Sequence, residues 1–271
     1  VRKGEGNQNS YKWALPQGVV TKKDVVEARE ETVYFYHRNG SPTIFDVTVS
    51  QQGLDSVKNQ LFNPLERLIS GGKLWGDNLR FTRTGHGDYR DTDYQFWSFK
   101  SKKPASEHRM YIALHTGQEE RIDDWKKKLD NISREAYASS AKQTTREWWY
   151  DFWERSHIAI DAKNTGSEAW KIGRNYQLFR YMLGCSAYGD YPTKFNAGLF
   201  TFDPSFVDST SVFTPDYRKW GGGTFTAQNQ RLVYFPMLKS GDIDMMDAQF
   251  NFYARALGNA ETRSRTYWGH E

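Results

Sequence analysis

The sequence has little cysteine, no long apolar run and no block of one charge. Cys185 is the only cysteine among 271 residues, which excludes an internal disulfide and a thiolate zinc site. No apolar run approaches the roughly 18 residues of a membrane span, so no membrane insertion is expected. The 37 basic and 33 acidic residues are interspersed, with Lys126–Lys128 as the longest basic run, and this pattern predicts no nucleic-acid partner.

Aromatic residues, by contrast, are abundant, with Trp 10, Tyr 16 and Phe 17. Such a surplus has two interpretations. The rings can fill large cores, or they can form platforms that stack on flat ligands such as sugar rings or bases. Composition alone leaves both open.

Residues 1–117 predict an antiparallel β-sandwich domain, N-terminally incomplete. Thr32–His37 and Pro42–Ser50 are rich in β-branched and aromatic residues, and they flank Asn39-Gly40, the strongest short hairpin signal. Turns are predicted at Gly71-Gly72 and Gly85–Gly87. Further strands are predicted at Leu79–Thr84, Tyr94–Ser101 and His108–Thr116. In the last of these strands, alternation of Met110, Ile112 and Leu114 predicts a buried face.

The periodicity becomes helical from Gln118 onward. We predict a helical linker over residues 118–166 and a helical domain over residues 167–271. Ser167 is the expected N-cap of a helix whose apolar stripe is Ile172, Tyr176, Phe179 and Leu183. On this pattern Arg180 belongs to the solvated edge, and Asp242 and Asp244 cap a later helix.

The stretch Phe195–Pro236 is the predicted binding surface. It is rich in glycine and aromatics, ends in the amides Gln228–Gln230 followed by Arg231, and continues as a helix that Pro236 is expected to interrupt. Loops of this length inside a compact domain are usually functional or disordered. The aromatic surface argues against disorder, so an ordered, amide-lined binding loop is expected.

Residues 176–236 and 267–270 resemble inverting glycoside hydrolases of the (α/α)6-toroid type. The resemblance lies in a helix ending LFRYMLGCSAYGDYPTKFNAGLF, in AQNQRLVYFP and in YWGH. It is closest to glycoside hydrolase family 95, the α-fucosidase/galactosidase group, or to a related bacterial family of unknown function. Asn229 matches the second Asn of that family's Asn-x-Asn segment. Ala227 stands where the first Asn is expected, which is a departure from the pattern.

The resemblance implies a β-sandwich, a helical linker and the first hairpins of a toroid that binds a polysaccharide or oligosaccharide of plant, algal or host origin. The substrate-binding residues that it implies are Asn196, Trp220, Gln228, Asn229, Gln230, Arg231, Trp268 and His270. Inverting hydrolysis needs a general acid and a general base, and in the family both come from later parts of the toroid. The chain is therefore expected to be a fragment that lacks at least the base. The catalytic residues stay unknown, with Glu271 as the candidate within this sequence.

No cofactor and no metal ion are expected. Gly221–Gly223 is followed by Thr-Phe-Thr rather than by a dinucleotide-binding pattern, and the six histidines lack paired ligand spacing. The expected partners are a carbohydrate substrate and the remainder of the same polypeptide, in a periplasmic or extracellular setting. Two alternatives stay open: a non-catalytic glycan-binding protein, and a polysaccharide lyase in which His270 is the base and Arg231 neutralises a uronate.

Overall fold

The computed structural model describes residues 23–89, 92–136, 140–193 and 227–270. A region of antiparallel sheet comes first along the chain and a helical region follows, as the sequence predicts, although two short helices interrupt the sheet region. The chain divides after Lys142 into two compact units, and Asn59–Phe62 belongs to the second. We call them the sheet unit and the helical unit. In the described ranges, no helix has the length and apolar character that a membrane crossing needs.

The sheet unit has two antiparallel sheets in its described part. One has the strand order β1-β2-β3-β6, and the other pairs β4 with β5. The strands are β1 (Val25–Arg29), β2 (Thr32–Arg38), β3 (Leu68–Gly76), β4 (Leu79–Tyr89), β5 (Thr92–Ser101) and β6 (Met110–Gln118). The helices are α1 (Ile44–Gln51), followed by a 3-10 helix at Asp55–Gln60, and α2 (Ile122–Ala136).

Helix α2 packs on the four-stranded sheet through Trp125 and Leu129, which are both 0% exposed. Their neighbours in this core are Tyr36, Ile69, Trp75 and Ala113. The rings of Tyr36 and Trp125 lie 5.6 Å apart. Apolar burial of this kind stabilises a helix that its own propensity would leave marginal.

Two ion pairs flank this core. Lys126 Nζ lies 2.7 Å from Glu27 Oε1, and Lys73 Nζ lies 2.8 Å from Asp130 Oδ1. The Lys126 hydrogen bond outweighs burial and lowers the pKa of Glu27. Burial, with a hydrogen bond to Asp130, raises the pKa of Tyr34 to about 12. These contacts join α2 to strands β1, β2 and β3 and fix the position of the helix on the sheet.

Residues Ile44–Gln51 form helix α1 rather than the second strand of a hairpin about Asn39-Gly40. The Asp46 amide donates to the Thr43 hydroxyl at 3.4 Å, and the Thr43 amide donates to the Asp46 carboxylate at 2.6 Å. Together these bonds make a capping box, which satisfies donors that a first helical turn leaves open. Strand β2 pairs with β1 and β3 instead. The hairpin prediction is therefore wrong, because the capping box outweighs the β-branched composition.

The glycines predicted as turns lie inside strands. Gly85–Gly87 is part of β4 and Gly71-Gly72 is part of β3. A Cβ atom at Gly71 would lie 2.1 Å from the Phe35 carbonyl oxygen, and one at Gly72 would lie 2.5 Å from that of Ala113. These glycines allow the close approach of neighbouring backbones, which is a second use of glycine in strands.

The buried face predicted for the last strand is also wrong. Met110, Ile112 and Leu114 of β6 are 60%, 58% and 65% exposed. Ala113, on the opposite face of the strand, is 5% exposed and belongs to the core beneath α2. Alternation correctly separates the two faces of β6, but the helix covers the face with the small residue.

The helical unit contains α3 (Ala141–Arg155), α4 (Glu168–Ser186), α5 (Ala227–Ser240), a 3-10 helix at Ile243–Met246 and α6 (Asp247–Trp268). Its core joins residues of all these elements except α6, namely Phe152, Leu183, Ala187, Val233, Tyr234, Met237, Met245 and Met246.

Ser167 is the N-cap of α4 as predicted, since its side chain accepts a hydrogen bond from the Trp170 amide at 3.2 Å. Helix α5 continues through Pro236, contrary to the predicted interruption, because Val233 and Met237 on either side are buried in this core.

The short segment Asn59–Phe62 is held by α6. The Phe62 amide donates to Asn259 Oδ1 at 2.7 Å, and Asn259 Nδ2 donates to the Phe62 carbonyl at 2.8 Å. One side-chain amide thus satisfies both backbone groups of Phe62.

Candidate functional site

The predicted amide run opens helix α5. Gln228 and Arg231 are exposed, whereas Gln230 is 3% exposed. The backbone of Asn229 is helical, and its side chain lies outside the described atoms. Asn196, Trp220 and Glu271 also lie outside the described residues. The structure therefore places four of the predicted binding residues in one helical turn.

Gln230 and Tyr234 hold the chain where it leaves the end of α4. Gln230 Nε2 donates to the Thr193 carbonyl at 2.8 Å, and the Thr193 amide donates to Tyr234 Oη at 2.9 Å. The Thr193 hydroxyl donates to the Ser186 carbonyl at 3.2 Å. We call Thr193, Gln230 and Tyr234 the clamp. Because of the clamp, Thr193 lies against the first turns of α5.

The clamp is buried and uncharged. Thr193 is 4% exposed and Tyr234 is 3% exposed. Burial raises the pKa of Tyr234, so its phenol stays protonated while its oxygen accepts the Thr193 hydrogen bond. A buried hydrogen bond that satisfies backbone groups is costly to leave unmade, so the clamp fixes this backbone position.

Trp268 and His270 lie at the end of another element, α6. Trp268 is 67% exposed, and its ring meets that of Tyr267 edge-on at 5.6 Å. Gly269 ends the helix in a left-handed conformation, with φ of 72°. The exposed Trp268 ring is available for a ligand, which keeps its predicted role open.

A buried ion pair, which the sequence did not predict, lies between α4 and the end of α5. Arg180 is 3% exposed and Asp242 is 1% exposed. Arg180 Nε donates to Asp242 Oδ2 at 2.9 Å, and Nη2 donates to Oδ1 at 2.8 Å. Arg180 also donates to the carbonyls of Phe152 and Ser156. These bonds give a partner to backbone carbonyls that the end of α3 leaves without one.

The solvated edge predicted for Arg180 is therefore wrong, and so is a capping role for Asp242, which makes no side-chain cap. Ile172 of the predicted stripe is 61% exposed. The buried side of α4 contains Gly173, Arg180, Leu183 and Gly184 instead. The spacing of Arg180 from Tyr176 and from Leu183, both of the predicted stripe, could have placed it on the apolar face.

Further hydrogen bonds connect this ion pair to the more exposed side chains of Asp244 and Tyr188. Arg155 Nη1 donates to Asp242 Oδ1 at 3.1 Å and to Asp244 Oδ1 at 2.6 Å. Tyr188 Oη donates to Asp244 Oδ2 at 2.7 Å. Burial and the bond to Asp244 raise the pKa of Tyr188, so it remains a donor across the neutral range. Asp242 is buried and accepts from Arg180 and Arg155, and Asp244 accepts from Arg155 and Tyr188. Both carboxylates already hold hydrogen bonds from donors of the protein, which makes them poor candidates for a general base.

Acidification is expected to weaken the helical unit through Asp244. Burial by itself would raise the pKa of this carboxyl, but the bonds from Tyr188 and Arg155 outweigh burial and lower the pKa below its usual 3.8. A lowered pKa stabilises the fold above pH 3.8, and this contribution is lost as pH falls through the folded-state pKa. In urea unfolding at about pH 6 and about pH 3, the wild type should lose more stability than Asp244→Asn. Equal losses would contradict this prediction.

The comparisons with known proteins identify a family for the first part of the chain. Residues 1–158 match the family model DUF5703_N, described as a domain of unknown function (DUF5703). Neither the curated proteins nor the solved structures contain a match.

Proposed function

The chain belongs to the DUF5703_N family, a domain of unknown function, and we propose that here this domain precedes the glycan-binding part of an inverting glycoside hydrolase. The clamp is the observation that carries the proposal. It holds Thr193, the last described residue before the aromatic stretch 194–226, against the first turns of α5, the helix that carries Gln228, Asn229 and Arg231. Binding residues are commonly positioned by a rigid scaffold element such as a helix.

The residue types at the start of α5 suit a sugar. An amide side chain both donates and accepts hydrogen bonds, as a sugar hydroxyl does, and the exposed Gln228 offers such a group. By the resemblance, Asn229 positions water or a hydroxyl near the reacting carbon. The general acid and base are proposed to come from the remainder of the polypeptide, about 6.5–9.5 Å apart in an inverting enzyme.

Exposed apolar faces support the proposed (α/α)6 toroid and β-sandwich. Leu232 and Phe235 of α5 are 58% and 57% exposed, and Phe250 and Leu257 of α6 are 55% and 57% exposed. Faces of this kind require apolar partners. We propose further helices of an (α/α)6 toroid as those partners. By the same reasoning, the exposed Ile112 face of β6 would be covered by the second layer of a β-sandwich.

A glycan substrate also implies a setting. Structural polysaccharides of plant and algal walls and of host surfaces lie outside the cell, so we propose a periplasmic or extracellular setting for an enzyme that acts on them. The proposal includes no cofactor and no nucleic-acid partner.

The experiment is product analysis with the enzyme in its full natural length. We expect reducing ends to be released from one member of a panel of plant, algal and host polysaccharides, with inverted anomeric configuration by NMR. Asn229→Ala is expected to lower turnover by about ten- to a hundredfold, because a misplaced water or hydroxyl costs reactivity more than stability.

The matched control is Asn175→Ala, the same substitution at an exposed residue of α4. It should leave turnover unchanged. Release of unsaturated, ultraviolet-absorbing ends would show a lyase instead, and binding without any product would show a glycan-binding protein. Unchanged turnover in Asn229→Ala would remove α5 from the proposed site.

A further inference from the structure

A second group of aromatic side chains lies at the surface of the helical unit. Trp148 of α3 is 36% exposed, and Tyr188, just after α4, is 52% exposed. Their ring centroids are 5.6 Å apart at 84°, and Trp148 also stacks on the buried Phe152 at 5.3 Å. We call Trp148 and Tyr188 the aromatic platform. Phe152 holds the Trp148 ring, the hydrogen bond to Asp244 holds Tyr188, and both rings keep exposed surface.

The polar groups beside the platform are held in place by hydrogen bonds within the protein. Tyr188 Oη donates to Asp244, and Arg155 donates to both Asp244 and the 1% exposed Asp242. Arg155 is therefore anchored by a buried carboxylate and cannot reorient freely. Asp244 and Arg155 keep side-chain exposures of 45% and 33%, so each can reach a ligand.

The charges at this edge cancel. Arg155 and Arg180 balance Asp242 and Asp244, which are all joined by hydrogen bonds. An anionic ligand would meet Asp244, and a cationic ligand would meet Arg155, so neither sign is favoured. A neutral ligand with hydroxyl groups fits both, since a hydroxyl donates to a carboxylate and accepts from a guanidinium.

We propose that the aromatic platform is a binding subsite for a neutral pyranose ring of the glycan. The apolar face of the sugar would stack on one of these two perpendicular rings and meet the other ring at its edge, and its hydroxyls would bond to Asp244 and Arg155. An apolar helix is a poorer occupant, because it would desolvate these polar groups without offering hydrogen bonds. The inference rests on the proposed carbohydrate function and adds a site outside the start of α5.

The test is calorimetric titration of the full chain with cellohexaose, xylohexaose and mannohexaose, which are neutral, and with trigalacturonate, which is anionic. Trp148→Ala and Tyr188→Ala are expected to weaken binding of a neutral hexasaccharide by at least about tenfold. Tyr188→Phe keeps the ring and should weaken binding by about three- to tenfold.

Tyr150→Ala is the matched control, because Tyr150 is a 67% exposed aromatic of the same helix. It should bind as the wild type does. Circular dichroism checks each variant, and if Trp148→Ala does not fold, the two Tyr188 variants decide the result.

Three outcomes would overturn the platform. These are unchanged affinity in the platform variants, no binding of any neutral hexasaccharide by the wild type, and tighter binding of trigalacturonate than of the neutral sugars. The proposed hydrolase is judged separately by product release and by Asn229→Ala. A failed platform beside an active enzyme is therefore distinguishable from a failed function.

Discussion

Replacing Asp242 by alanine is expected to lower the free energy of unfolding of the helical unit by about 3–5 kcal/mol. The substitution leaves the guanidinium of Arg180, 3% exposed, without a counter-charge. It also removes one of the acceptors of the Ser240 hydroxyl, at 2.6 Å, and one acceptor of Arg155. An uncompensated buried charge costs far more than an exposed one.

Urea unfolding followed by circular dichroism measures this loss. Asp151→Ala, at an exposed carboxylate of α3, is the matched control and should change stability by less than about 0.5 kcal/mol. The double variant Arg180→Met/Asp242→Leu removes both charges and should recover most of the loss, because buried ion pairs are often replaceable by apolar residues. Equal effects of Asp242→Ala and Asp151→Ala would contradict the buried pair.

Replacing Trp125 by alanine is expected to destabilise the sheet unit by about 3–5 kcal/mol. The side chain is 0% exposed and lies between α2 and the four-stranded sheet, so its removal leaves a cavity that the strands cannot close. Its indole Nε1 is buried and has no hydrogen-bond partner in the described part of the chain. Trp125→Phe removes that unsatisfied donor and should therefore cost much less, about 1 kcal/mol.

Thermal and urea unfolding of both variants test this contrast. The control is Trp268→Ala, which removes a 67% exposed indole and should shift stability by less than about 0.5 kcal/mol. A loss for Trp125→Phe as large as for Trp125→Ala would show that the indole ring nitrogen stabilises the core.

Much of the fold follows from local patterns in the sequence. The period of Trp125 and Leu129 predicts α2, and Ser167 predicts the start of α4, because periodicity and capping act within a few residues. The conflict at Pro42–Ser50 shows the limit of composition. Its β-branched residues favour a strand, but the Thr43 capping box acts at the same place and favours α1.

Long-range partners are what the sequence does not reveal. Arg180 lies 62 residues from Asp242, and no local spacing connects them. The sequence predicts a turn at Gly71, because it does not reveal that the Phe35 carbonyl packs against this glycine. The same limit applies to the candidate site. The consecutive amides of α5 can be read from the sequence, whereas the hydrogen bond from Gln230 to Thr193 depends on tertiary packing.

The Asn259 contact with Phe62 has a consequence for dissecting the chain. The helical unit includes Asn59–Phe62, which precedes the last four strands of the sheet unit, so the chain passes between the units more than once. A single cut at residue 142 would separate Asn259 from the backbone that it bonds and expose two polar groups of its amide. The helical unit therefore needs residues 59–62 supplied with it, and a fragment that begins at residue 143 is expected to be more sensitive to proteolysis than the same unit within the whole chain.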